Sequence, residues 1–234
     1  MVAVRILFVR HGDPNYRDDC LTPLGHLQAD AAGERLLGEP IDRIYCSTCG
    51  RALETAGHIV ARMGIDFAKV QKLPFMEEID WGSNDGAPLE MNGHPWMISD
   101  YMAQQGQSLL QDGWQENELF RRNIVGDFCQ KVGDAFDALL ETLGYTREGA
   151  FYRVGQPVCE NVLLVSHAGS STAVFARLFN LPLPFAFSFY RPAFTSVSSV
   201  TFAGEPGSLI APTLSLLNDA KHIEGLRVEN QFGN

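Results

Sequence analysis

Val2 to Val9 is an apolar block rich in Val, Ile and Phe and broken only by Arg5, a pattern that suits a strand buried in a parallel sheet. From Thr22 the period changes. With Pro23 at a first helical position, Leu24, Leu27, Ala31 and Leu36 recur at helical spacing until Gly38. The strand-then-helix unit repeats in Ile41 to Cys46 and Gly50 to Met63, and a weaker third strand falls around Phe67 to Leu73. Such alternation predicts a mostly parallel sheet covered by helices on both faces.

The rhythm breaks after Pro74. Residues 80 to 115 mix Gly, Asn, Pro, Trp and Met without clear periodicity, and a long helical stretch is expected from Glu116 to Leu143. This reads as a cap inserted at about 83–160 into a single domain spanning 1–234. Gly144 to Glu160, punctuated by Gly149, Gly155 and Pro157, is expected to be a surface loop. Asn161 to Val165 is the strongest strand signal, followed by a helix from Gly169 to Phe179. Ser196 to Phe202 and Ser208 to Leu217 close the chain as a hairpin turning near Gly204 to Gly207.

Charge narrows the partners. The 234 residues carry 18 basic and 28 acidic side chains, a net charge of −10, and no basic run that would neutralise many phosphates. No nucleic acid and no membrane is expected as partner, and any anion must be caught locally. No apolar stretch reaches bilayer length and the N-terminus lacks a signal-peptide layout, so a cytoplasmic location is expected. Five cysteines, an odd number, fit reduced thiols.

Two strand ends look alike, Val9-Arg10-His11-Gly12 and Val165-Ser166-His167-Ala168. In open parallel sheets ligands bind beyond the carboxyl ends of strands, and the small residues after each histidine permit close approach of a ligand to the backbone. His167 also precedes a helix whose first N–H groups favour an anion. The second strand leads through Ser47 and Thr48 to Arg51, and the third into Glu77 and Glu78. Arg10, His11, Arg51, Glu78 and His167 are thereby delivered to one rim. Two guanidiniums match an oxyanion of charge about −2, and a neutral imidazole is a nucleophile, so the set suits in-line phosphoryl transfer to His11. A carboxyl group would protonate the leaving alkoxide. Adjacent glutamates in extended chain point opposite ways, so one of Glu77 and Glu78 faces the site.

At these residues the chain resembles the histidine phosphatase superfamily, or phosphoglycerate mutase-like proteins. Arg10-His11-Gly12 resembles its signature, Ser47 through Arg51 to Thr55-Ala56 its second arginine motif, and Ser166-His167-Ala168-Gly169 its second histidine motif. Glu78-Ile79-Asp80-Trp81-Gly82 resembles the segment with the proton donor, and Leu214 to His222 the C-terminal strand and tail. The resemblance implies a three-layer α/β/α sandwich, mostly parallel with one antiparallel edge and a helical cap, that uses no metal and no cofactor. It implies His11 as the phosphorylated residue and selects Glu78 as the acid, with Arg10, Arg51, His167 and Ala168 around the phosphate. Two departures stand out: Asp13-Pro14 replaces the usual Glu and Ser or Thr, and Arg17 stands where mutases carry Asn. Arg17 is either a further substrate-binding cation or a solvated loop residue.

The leading expectation is a phosphomonoester phosphatase for a small phosphorylated substrate. A phosphoglycerate-type mutase is the alternative, and a phospho-ligand binding or regulatory module the reading from another class. A metallophosphatase reading, with His11 and Asp13 of His11-Gly12-Asp13 joined by His167 and Asp85 as ligands, is disfavoured by the two arginines beside them. Cys46 and Cys49 form a C-x-x-C pair whose oxidation would distort the loop before Arg51. Phe185, Phe187, Phe189, Tyr190 and Phe194 suit core packing better than the alternative, a pocket for an apolar portion of the substrate, while Trp96, Tyr101, Trp114 and Phe120 are the better candidates for pocket walls. Arg121 and Arg122 are ordinary exposed charges unless one reaches a distal anion. A homodimer is the default oligomer, with no interface indicated.

Overall fold

The computed structural model describes residues 2–81, 93–121 and 123–226. In chain order its first half contains β1 (Val2–Arg10), the short pair β2 (Pro14–Asn15) and β3 (Cys20–Leu21), α1 (Pro23–Arg35), β4 (Arg43–Cys46), α2 (Gly50–Arg62), β5 (Val70–Lys72) and α3 (Pro95–Gln104). There follow α4 (Glu118–Arg121), α5 (Val125–Thr142), β6 (Tyr145–Glu148), β7 (Phe151–Val154), β8 (Asn161–Ser166), α6 (Ala168–Phe179), α7 (Leu183–Phe189), β9 (Val197–Gly204), β10 (Leu209–Ile210) and β11 (Thr213–Asp219).

Six strands form the central sheet in the order β11-β9-β1-β8-β4-β5. β1, β8, β4 and β5 are parallel, whereas β9 runs antiparallel to both β1 and β11. The apolar block of β1 is continuous because both faces are covered. Val4, Ile6 and Phe8 pack on one side with Phe136 of α5 and Phe175 of α6. Leu7 and Val9 pack on the other with Ala32 of α1 and Ile59 of α2. β8 divides in the same way, Val162 and Leu164 against Leu163 and Val165.

Three elements differ from the sequence expectation. The stretch from 144 to 160 is not all loop, since β6 and β7 form a hairpin that joins β10 in a small second sheet. Its alternation is real, with Tyr152 and Val154 buried and Phe151 exposed, but Gly and Arg at the turns masked it. The long helix expected from Glu116 is interrupted, because Asn117 Oδ1 accepts from the Leu119 N–H at 3.0 Å and Asn123 Oδ1 from the Val125 N–H at 2.8 Å. Each asparagine caps a new start. The closing hairpin is split at Pro212, which has no N–H for a ladder. β10 serves the small sheet and β11 the main one.

Candidate active site

Because β1 and β8 pair in parallel register, with Arg10 opposite Ser166, the next residues, His11 and His167, leave the sheet side by side. Their ring centroids are 5.0 Å apart and both side chains are buried. Gly12 is required by packing rather than by a ligand, since a Cβ there would lie 2.6 Å from the Gly25 carbonyl oxygen. The Gly12 N–H donates to Thr55 Oγ1 at 3.1 Å, and the Thr55 hydroxyl donates to the Arg51 carbonyl at 2.7 Å. One threonine therefore ties the first histidine loop to the helix that carries Arg51.

The partners of His11 define its tautomer. Nδ1–H donates to the Gly12 carbonyl at 2.7 Å, and the Arg51 Nε–H points at Nε2 from 3.4 Å. A lone pair thus resides on Nε2. Burial, followed by the neighbouring His167, Arg10 and Arg51, holds the pKa of His11 well below the ordinary 6.5, so the ring is neutral. His167 is neutral for the same reasons, burial first and then Arg51 and Arg10. Ser47 Oγ accepts the Cys49 N–H at 3.2 Å and lies 2.7 Å from His167 Nε2, to which it donates. The remaining proton of His167 is then on buried Nδ1, which has no partner among the described residues.

Glu78 is held by a helix end. Its Oε1 accepts N–H bonds from Gly169 at 2.8 Å and Ser170 at 3.2 Å, and from Ile79 at 3.0 Å. The group that occupies the free N–H bonds at the start of α6 is therefore this carboxyl, not a ligand. A Cβ on residue 169 would sit 2.4 Å from Glu78 Oε1 and 2.3 Å from Ile79 Cγ1, so only glycine admits the contact. Burial raises the pKa of Glu78 above the ordinary 4.5, outweighing these bonds and the attraction of Arg10 and Arg51. With Oε1 occupied, Oε2 is the oxygen that can carry a proton.

Arg10 donates from Nη1 to the Pro192 carbonyl at 2.8 Å and lies 4.0 Å from the centroid of the Phe194 ring. Arg51 is paired with Asp19, whose other oxygen accepts the Gly50 N–H at 2.6 Å. Tyr16, itself largely exposed, lies over the second cation, its ring 5.4 Å from Arg51 Cζ. Tyr16 and Asp19 are contributors the sequence did not single out for the site, and Phe194, read chiefly as core with a pocket lining as the alternative, is a third. Tyr16 and Asp19 fold back with the β2–β3 hairpin, and Phe194 precedes Thr195, a buried β-branched residue at φ 52 whose N–H donates to the Arg10 carbonyl at 3.0 Å. That left-handed turn seats the ring of Phe194 5.8 Å from His11.

Arg10, His11, Arg51, Glu78 and His167 are thus brought together, with Ala168 opening α6 beside them. Arg17 is not. It is exposed on the hairpin, bonded among the described residues only through its backbone N–H to Asn15 Oδ1, and the ring of the neighbouring Tyr16 lies over Arg51 instead. Glu77 points outward and accepts from the Thr48 hydroxyl. Asp13 also turns away, its Oδ2 accepting from the Thr22 hydroxyl at 2.6 Å at the cap of α1. Phe194 belongs to the site rather than to core packing alone. Cys46 is a buried free thiol pushed up to about 12 by desolvation. Asp85 and Arg122 lie outside the described residues.

The chain matches the family model of the histidine phosphatase superfamily (branch 1) over residues 6–141. It is 33% identical over 145 residues to a mitochondrial serine/threonine-protein phosphatase Pgam5 of Drosophila grimshawi, covering 59% of this chain and 46% of that protein. It is 34% identical over 92 residues to a 2,3-bisphosphoglycerate-dependent phosphoglycerate mutase of Brucella anthropi, covering 35% of this chain and 45% of the relative. The chain thus spans less than half the length of these relatives. Among solved structures, a phosphoserine phosphatase of Entamoeba histolytica in complex with 3-phosphoglyceric acid superposes with a TM-score of 0.61 at 18% identity, over 94% of this chain and 99% of that one. That likeness establishes the fold.

Proposed function

The chain belongs to the histidine phosphatase superfamily, and from that premise we propose that it is a metal-independent phosphatase of small phosphomonoesters working through a phosphohistidine on His11. The observation that carries this reading is the state of His11, neutral, with Nδ1–H fixed on a carbonyl and the Nε2 lone pair beside two guanidiniums. The phosphoryl group binds between Arg10 and Arg51, with His167 Nδ1–H as a further donor to its oxygens. Nε2 attacks phosphorus, the N–P bond forms as the ester P–O bond breaks, and the departing oxygen takes the proton of Glu78. Glu78, now a carboxylate, receives a proton from the water that attacks phosphorus. The N–P bond breaks, inorganic phosphate leaves, and both His11 and Glu78 return to their starting states.

Phosphate release from a panel of phosphomonoesters in excess EDTA tests the scheme, with His11→Ala as control. Chelator-resistant release, an acid-labile phosphoryl group on the wild type and loss of both in the variant are expected; release that persists in His11→Ala overturns it. The similarity to a phosphoglycerate mutase favours a second reading, in which the phosphohistidine returns its phosphoryl group to bound substrate. An isomerised phosphoester in place of free phosphate would select it.

A further inference from the structure

Beneath the cap, α5 and α6 part to leave a groove of about 490 Å³ that none of Arg10, His11, Arg51, Glu78 or His167 lines. This volume is in the range of small-ligand sites. Its walls carry Arg121, Arg147 and Arg177 against a single carboxylate, Asp127. Arg177 is neutralised by Asp134 and Asp137 at 3.0 and 2.8 Å. Arg147 has no direct carboxylate partner among the described residues, its nearest link to one being through the Tyr152 hydroxyl to Asp137. It donates to the Gly149 and Arg177 carbonyls at 2.8 and 2.7 Å, to the Tyr152 hydroxyl at 2.9 Å and to Asn180 Oδ1 at 2.5 Å, every acceptor neutral. These bonds fix the guanidinium and use four of its five N–H groups, leaving one on Nη2. Arg121, exposed at the rim, has no ion pair among the described residues. Two cations without a direct ion pair among the described residues run against the composition of a chain with net charge −10.

The same groove is bordered by Trp114, propped edge-on by Phe120 at 5.3 Å and lying 3.5 Å from where a Cβ on Gly126 would be. A flat apolar face beside two uncompensated guanidiniums is complementary to a molecule with a ring at one end and a negative group at the other. We propose that this groove is a second binding site, for a small anion bearing a flat ring, with the anionic group on Arg121 and Arg147 and the ring on Trp114. The site does not depend on the catalytic reading, and its test reads binding alone.

AMP is the probe, with adenosine and inorganic phosphate as its two halves, titrated calorimetrically into the full chain carrying Arg51→Ala so that the catalytic clamp is disabled. AMP is expected to bind, and to bind tighter than either half. Arg121→Glu on that background weakens AMP by about tenfold or more, the scale of a charge-assisted contact replaced by repulsion. Trp114→Leu removes the advantage of AMP over phosphate. Arg147 holds structure as well as charge, so the exposed Arg121 carries the test. No AMP binding at millimolar concentration, AMP binding that requires Arg51, or affinity unchanged in both Arg121→Glu and Trp114→Leu each overturns the proposal.

Discussion

Gly169 and Glu78 are in contact across the site, the N–H of one donating to Oε1 of the other at 2.8 Å with no room for a side chain between them. Gly169→Ala must push the carboxyl away from the end of α6. The expected result is a selective loss: turnover of alkyl phosphates, whose leaving oxygen needs a proton, falls by about 10²-fold or more, the usual worth of general acid catalysis. Nitrophenyl phosphate, whose leaving group departs unprotonated, loses much less. Equal losses on both substrates would mean that residue 169 acts on the phosphate pocket and not on Glu78.

Asp19 is the outer support of Arg51, held in turn by the Gly50 N–H. Asp19→Ala frees the guanidinium to wander from His11, and a misplacement of that kind costs on the order of 10²-fold in kcat/KM. Tyr16→Ala removes only the ring that lies over Arg51 and should raise KM with a smaller effect on kcat. Steady-state kinetics of the two variants separate these roles.

The buried histidines make folding stability depend on pH. Their folded pKa values lie below the ordinary 6.5, so as pH falls from 6.5 toward the folded values the unfolded chain binds more protons and stability drops. Each contributes a slope of up to about 1.4 kcal/mol per pH unit in that window, and nothing above it. Urea unfolding between pH 7.5 and 5.5 should show the decline, and His167→Gln should flatten it. Turnover has the opposite limb: Glu78, raised above 4.5 by burial, must be protonated to act, so hydrolysis of alkyl phosphates weakens as pH rises and the limb disappears in Glu78→Gln.

Thiol reactivity should divide by burial. Cys46 and Cys129, both pushed up to about 12 by desolvation, stay protonated at pH 8, whereas Cys159 is exposed. Mass analysis after a short iodoacetamide pulse should find label on Cys159 before either buried thiol. Early label on Cys46 would restore the C-x-x-C pair as a redox candidate.

What could be read in the sequence follows the strength of the local signal. β1 and β8 are continuous apolar runs because both faces are packed, and a histidine directly after each is unmistakable. Tyr16 and Asp19 were illegible as site residues, and Phe194 legible only as one of a cluster better suited to the core, because their placement depends on chain reversals, a hairpin of two-residue strands and a left-handed threonine, which carry no periodicity. The breaks around Asn117 and Asn123 did have a signal, an asparagine two residues before a helical N–H, hidden by the helical spacing on either side. Of the two readings open for Arg17, the structure has the solvated loop residue, and it is the ring of the neighbouring, also largely exposed Tyr16 that lies over Arg51.

The parallel register of β1 and β8 has a consequence for how this scaffold can change. The separation of the two imidazoles is dictated by a backbone ladder, and slipping that ladder by one residue would move a histidine by about 3.3 Å and turn its strand inside out. Among the described residues, those between β5 and β6 add no strand to that ladder. A foreign segment exchanged for them would leave the separation of the two imidazoles as it is, provided the turns that carry Asp19, Glu78 and Thr195 are kept.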